Sequence, residues 1–178
     1  DRHIQNLLDL TRLSQGKLNL RRDWVDLHDI IASAITRLPD VLAGLRVEVQ
    51  IPDDLPLLWV QGSLIEQTLI NLLDNAARFS PAQGRIGIQA VRAGDEIWIE
   101  VSDQGPGIPE KERKAVFDMF YSVRRGDRDN RLGSGLGLAI CRGMIVAHGG
   151  QILALAGPSG RGTQIRLSLP LTSPEAKP

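Results

Sequence analysis

One stretch of this 178-residue chain leaves little freedom in how it folds. Residues Ser63 to Pro81 read Ser-Leu-Ile-Glu-Gln-Thr-Leu-Ile-Asn-Leu-Leu-Asp-Asn-Ala-Ala-Arg-Phe-Ser-Pro, with Leu69, Leu72, Leu73 and Ala76 at the spacing of one helix face. That periodicity predicts an amphipathic helix laid on a core. Ser63 and Glu66 have the spacing of a capping box at its start, and Ser80-Pro81 ends it because proline disfavours helical geometry in the residue before it. Beside the apolar stripe, Asn71, Asn75 and Arg78 fall at i, i+4 and i+7, so two amides and a guanidinium project from one side. Asparagine disfavours helix interiors, and a plain solvent face would carry Lys or Glu instead. Two readings are open from this helix alone. The amides bond neighbouring groups at the edge of the core, or their oxygens serve Mg²⁺, which takes a few protein oxygens and fills its shell with water and phosphate.

A helix of this kind needs a core, and 42% hydrophobic with 24% charged residues supplies one principal soluble domain. Lys plus Arg and Asp plus Glu number 21 each, so bulk charge draws the chain neither to nucleic acid nor to anionic lipid. The lone Cys141 excludes an internal disulfide, and without a Cys and His cluster a structural zinc is not expected. A reducing, cytosol-like compartment follows. No apolar run approaches the roughly 18 residues that span a bilayer. Asp1 opens the chain without an initiator Met or a signal-type segment, which reads as an excised piece of a longer protein.

Ahead of the central helix, Ile4, Leu7, Leu8 and Thr11 make a narrow heptad-like stripe ending at Gly16. It reads as the last turns of a longer helix, either packed locally or forming an interhelical contact, followed by a polar linker over Lys17 to Asp23. Asp26 is placed to cap a helix from about Leu27 to Leu38, before Pro39. Val47 to Ile51 and Leu57 to Val60 read as strands. Arg85 to Arg92 and Glu96 to Ser102 alternate as an antiparallel hairpin, and Gln151 to Ala156 with Thr163 to Leu169 form a last pair. The expected fold class is α+β, a two-layer α/β sandwich with a mixed or antiparallel sheet and its helices on one face. The tail from Thr172 to Pro178 is expected to be disordered.

Three further stretches carry chemistry. The hairpin runs into Asp103-Gln-Gly105-Pro-Gly107-Ile-Pro109, which is either a turn before a helix starting at Pro109 or a loop whose backbone approaches a flat ligand. In the second case a carboxylate at the strand end could accept an exocyclic amine. Val116-Phe-Asp-Met-Phe120 closes a short helix with core-type side chains. The segment Tyr121 to Ser134 is a mobile loop by composition, and it empties into Gly133-Ser-Gly135-Leu-Gly137, a glycine run opening a helix that ends at His148-Gly149-Gly150. A helix start with bare amides is a phosphate site, though no strand directly precedes it, which argues against a Rossmann dinucleotide site.

Taken in order, these stretches resemble the ATP-binding domain of sensor histidine kinases. Asn71-Leu-Leu-Asp-Asn75 is similar to the N box, Asp103 to Gly107 to the G1 box, Val116 to Phe120 to the F box and Gly133 to Gly137 to the G2 box. The likeness covers about Trp24 to Leu171, and Ile4 to Leu20 resembles the end of the dimerisation domain. Within the family, Gly135-Leu-Gly-Leu-Ala-Ile-Cys-Arg and Asn6-Leu-Leu-Asp-Leu resemble the Kdp-type, potassium-responsive kinases. The resemblance divides the chain into residues 1–22 as helix end and linker, 23–171 as catalytic domain and 172–178 as tail.

It implies the Bergerat or GHKL fold shared with gyrase, Hsp90 and MutL, with ATP under a flexible lid. By the same resemblance Asn75 ligates Mg²⁺, Asn71 and Arg78 contact the phosphates catalytically, and Phe79 flanks the nucleoside. Asp103 holds the adenine amine, and Gly105, Gly107, Gly133, Gly135, Gly137 and Thr163 complete the nucleotide site. Arg124, Arg125, Arg128 and Arg131 are the candidate lid cations.

Two departures matter. Arg78 stands where many kinases have Lys, and Asn71 where hydrolysing relatives have a glutamate base, which an amide cannot replace. The implied activity is transfer of the ATP γ-phosphoryl to a histidine outside this chain, since His3, His28 and His148 lack an acceptor context and His148 reads as a helix-dipole residue. An ATPase of the same fold, or a nucleotide-binding or dimerisation module without catalysis, are the alternatives. The implied setting is a cytoplasmic domain of an inner-membrane-anchored homodimer in potassium or osmotic sensing. Its partners would be ATP, the protein's own dimerisation domain and, indirectly, a response regulator, with no nucleic acid.

Overall fold

The structure is a computed structural model, and it describes residues 19–121, 123 and 135–171. The expected N-terminal helix end, the C-terminal tail, Gly133 and the four lid arginines lie outside the described residues.

The first described element is strand β1 (Asp23–Val25), which pairs antiparallel with β3 (Leu58–Val60) in a ribbon of its own, where Trp24 sits opposite Trp59 with ring centroids 5.2 Å apart. Three residues cannot show an alternation, so β1 had no signal in the sequence. Between them, the Asp26 carboxylate accepts the His28 backbone N–H at 2.8 Å and starts helix α1 (Leu27–Thr36), as its position predicts. The helix ends two residues earlier than expected, with Arg37 as its C-cap.

The main sheet runs β2-β4-β5-β7-β6, built from Arg46–Gln50, Arg85–Ala93, Glu96–Ser102, Thr163–Pro170 and Gln151–Ala156 respectively. Strand β2 lies parallel to β4 and every other pair is antiparallel, so the sheet is mixed. Alternation decides its faces: Ile86, Ile88, Ala90, Ile97, Ile99, Val101, Ile165, Leu167 and Leu169 are all buried. Their neighbours point outward. There the Arg166 Nε lies 2.6 Å from Glu100 Oε1 and its guanidinium sits 4.2 Å over the Trp98 ring, so polar and stacking contacts link β5 to β7 on this face.

Helices α1, α2 (Gly62–Phe79) and α3 (Gly137–Ala147) cover the other face, with α1 against α2 and α2 against α3. Leu69, Leu72, Leu73 and Ala76 are buried as their spacing requires. The result is the two-layer α+β sandwich.

Two local expectations are corrected. Helix α2 starts at Gly62 with Gln61 as N-cap, so Ser63 is already inside it and caps nothing. Glu66 is drawn away from the helix start because α1 offers better partners, the Ser33 hydroxyl and the Arg37 guanidinium at 3.3 Å. His148 is not a charged residue serving a helix dipole. It is 2% exposed, its Nδ1 donates to the Met144 carbonyl at 2.7 Å, and its Nε2 accepts the Gln61 backbone N–H at 3.1 Å. The neutral ring thus ties the end of α3 to the start of α2.

Burial holds the His148 pKa below its ordinary 6.5, with the Met144 carbonyl opposing this and the nearby Arg22 adding to it. Protonation would turn Nε2 into a donor facing another donor. Stability is therefore full above about pH 6.5 and falls as pH drops from there through the lowered folded value, by up to about 1.4 kcal/mol per pH unit for one proton. Urea unfolding from pH 7.5 to 5 should show this slope in the native protein and lose it in His148→Gln.

Candidate functional site

Helix α2 carries its polar residues in three different settings. Asn71 is 6% exposed, wedged between α2 and α3, and its Oδ1 accepts Gln67 Nε2 at 3.2 Å. Its Nδ2 is buried and has no nitrogen or oxygen partner among the described residues, only the Cys141 thiol beside it. Leaving an amide donor in that condition costs about 1–3 kcal/mol, so a native structure that keeps one is answering to something other than stability. Across from it lies Cys141 of α3, whose thiol burial pushes up to about 12, the adjacent Asn71 amide pulling the other way. A thiol is too weak an acceptor to satisfy the amide.

One turn on, Asn75 is half-buried and its side chain has no hydrogen-bond partner among the described residues. Arg78 does not converge on the amides as its spacing suggested. Its Nη2 lies 3.2 Å from Asp74 Oδ2 on the exposed side of the helix. Such an i, i+4 pair is worth only about 0.3–0.5 kcal/mol, weak enough to be exchanged for a more highly charged anion.

The loop after β5 closes onto the C-terminal end of this helix. Asp103 Oδ1 accepts Gly105 N at 2.8 Å and Thr163 N at 3.2 Å, while the Asp103 backbone N–H donates to the Thr163 carbonyl at 2.9 Å. The carboxylate is therefore fixed by the backbone on both sides, and Thr163 serves as part of that frame. Gly162 makes the approach possible. Its φ is +75° and a Cβ there would lie 1.8 Å from the Asp103 carbonyl oxygen. A Cβ on Gly105 would press on the Phe79 carbonyl at 2.8 Å, so Phe79, Asp103, Gly105, Gly107, Gly162 and Thr163 form one cluster. Pro109 precedes only a short 3₁₀ turn, Glu110–Glu112, and not the longer helix expected there.

The aromatic segment splits in two. Val116 and Phe117 are buried in a second 3₁₀ turn, as core-type residues should be, while Met119 and Phe120 are exposed, Phe120 by 72% with φ +62°. Phe120 N donates to the Gly135 carbonyl at 3.0 Å, and a Cβ on Gly135 would meet the Phe120 backbone at 2.8 Å. A Cβ on Gly137, the first residue of α3, would meet nothing within 4 Å among the described residues. Helix α3 has no side-chain cap, so its first amides have no side-chain acceptor from the cap residue.

Nucleotide chemistry fits these parts: an anchored carboxylate in the loop on the C-terminal end of α2, the start of α3 without a side-chain cap, and a buried amide donor of α2 facing α3. A scan of family models matches residues 61–173 to the histidine kinase-, DNA gyrase B- and HSP90-like ATPases. The chain belongs to that family. It is the ATP-binding catalytic domain of a two-component sensor histidine kinase. The mycobacterial sensor histidine kinase MprB is 30% identical with a TM-score of 0.73, covering 84% of this chain and 97% of that one. The Sensor protein KdpD of Escherichia coli K12 is 40% identical over 98% of this chain, which spans only 19% of that relative's length. Full-length ShkA in complex with AMPPNP shares the fold at a TM-score of 0.82 and 24% identity, covering 96% of this chain and 35% of that one.

Among the described residues no group of three or more His, Cys, Asp or Glu could hold a metal by itself, and no helix is long and apolar enough to cross a membrane. An open depression of about 430 Å³ on the outer sheet face, beside Gln50, Val91 and Trp98, lies away from these groups.

Sequence reasoning missed Gln67 and saw Gly162 only as part of the Gly-x-Gly-Thr strand start at Gly160 to Thr163, without a role. Gln67 carries a signal, one helical turn before Asn71; the role of Gly162 is evident only from the backbone of Asp103. Gly162→Ala should displace Asp103 and weaken nucleotide binding at least tenfold while lowering the melting temperature, because both the φ and the space forbid a side chain. Calorimetry with ADP and thermal unfolding check it.

Proposed function

We propose that this domain binds Mg²⁺-ATP and passes its γ-phosphoryl to a histidine of a dimerisation domain carried elsewhere in the full-length protein. The reading rests on Asn71, a buried and unsatisfied amide donor standing where a hydrolysing enzyme needs a base. An amide can stabilise phosphate oxygens but cannot take a proton from water, which leaves attack to an external nucleophile that brings its own lone pair.

In this reading Asp103, oriented by Gly105 N and Thr163 N, accepts the adenine amine, and Phe79 covers the nucleoside. The first amides of α3 at Gly137, with Gly135 and Gly133 before them, meet the phosphates. Arg78 leaves Asp74 to neutralise phosphate charge. The Asn75 amide oxygen, uncommitted to any described residue, would hold Mg²⁺ together with the phosphates, and the ion would supply neutralisation of the developing charge. The remaining proposals extend the resemblance: a cytoplasmic domain of a membrane-anchored, homodimeric kinase of the KdpD kind, signalling to a response regulator, as the solved complex of histidine kinase ThkA with the response regulator TrrA suggests for the last.

Calorimetry on two variants separates the assigned roles. Asp103→Asn keeps an oxygen for the loop amides but presents an NH₂ to adenine, so it should weaken ATP, ADP and adenosine alike by about 1–3 kcal/mol, with or without EDTA. Asn75→Ala should leave adenosine binding nearly unchanged and remove most of the gain that Mg²⁺ gives to ATP. Full retention of that gain returns Asn75 to a structural role. Added acceptor domain should become labelled from radioactive ATP while this chain alone does not.

A further inference from the structure

We propose that Gln67 is a positioning residue that sets the orientation of the Asn71 amide, so that its NH₂ is the group offered to phosphate. This rests on the assignment of Asn71 to the phosphates and adds a residue that acts only through it. A primary amide has a broad, roughly two-fold terminal torsion, so turning it over exchanges oxygen and nitrogen at little intrinsic cost. Its surroundings must choose.

Around Asn71 the choice falls to Gln67. Gln67 Nε2 donates to Asn71 Oδ1 at 3.2 Å from one turn earlier on α2. Two neighbouring donors among the described residues are committed elsewhere, since Thr68 Oγ1 donates to the Leu64 carbonyl at 2.9 Å and the Cys141 thiol points to the Thr68 carbonyl at 3.7 Å. With Oδ1 held, Nδ2 is left buried with only the weak Cys141 thiol beside it among the described residues. Turned over, the amide would present its oxygen to a polyanion, an acceptor against acceptors. Glutamine provides the donor without a charge of its own, so it directs Asn71 without becoming a second phosphate ligand.

A double-mutant cycle in this domain tests the coupling, with ATP and adenosine affinities measured for wild type, Gln67→Met, Asn71→Ala and the double variant. Gln67→Met is expected to weaken ATP about three- to tenfold and adenosine by less than about twofold, and to cost nothing further in the Asn71→Ala background. In ¹⁵N-labelled protein, the Asn71 side-chain NH₂ resonances should move toward solvent-averaged positions in Gln67→Met. Equal losses in both backgrounds, or equal losses for ATP and adenosine, make Gln67 merely structural and leave Asn71's role standing. If Asn71→Ala binds ATP as tightly as wild type, the phosphate assignment itself falls and the role of Gln67 falls with it.

Discussion

Burial of one face of helix α2 is the constraint on which the site depends. Leu69, Leu72, Leu73 and Ala76 are sealed between the sheet and α3, which fixes the helix in rotation as well as position. A helix so held cannot turn Asn71 or Asn75 out of the seam without exposing leucines, each worth roughly 1.5–3 kcal/mol of burial. The polar residues next to the stripe are therefore pre-positioned by the hydrophobic core. Asn71 remains buried and unsatisfied because its neighbours on the stripe outweigh it.

The second anchor is backbone on backbone. Strands β5 and β7 pair through to Ser102 and Gln164, and the pairing continues one step further as Asp103 exchanges hydrogen bonds with Thr163. The same carboxylate oxygen then collects two amides, so the loop that follows is tied to the sheet's central strands and not left to find its own shape. Gly162 permits this contact and Gly105 lets the loop lie on the end of α2. Rigid framing of a binding carboxylate is what a site needs, because a group already oriented loses less entropy on binding.

A second region is built differently. Phe120 is exposed in a left-handed backbone conformation, Gly135 packs against it, and a Cβ on Gly137 would meet no other described residue within 4 Å. Met119 and Phe120 leave the core, while Tyr121 and Val123 pack against its edge. The sandwich thus presents a rigid edge at Asp103 and a helix start at Gly137 without a side-chain cap, the two surfaces to which the proposed function assigns the ends of the nucleotide.

By itself the sequence determined the sandwich, its hairpins, the extent of α2 and the order of the nucleotide-binding stretches, because periodicity and turn residues act over a few neighbours. Asp103 and the glycines of its loop were legible for the same reason. Tertiary structure decided the rest. Glu66 had the spacing to cap its own helix and bonded α1 instead; His148, at a helix end, became a buried neutral ring joining α3 to Gln61. Arg78 turned to Asp74 although its spacing placed it with the asparagines, and the partner of the Asn71 oxygen proved to be Gln67. Each of these is a choice among partners of similar local merit, and only the packing of helices on one another settles which donor and which acceptor actually meet.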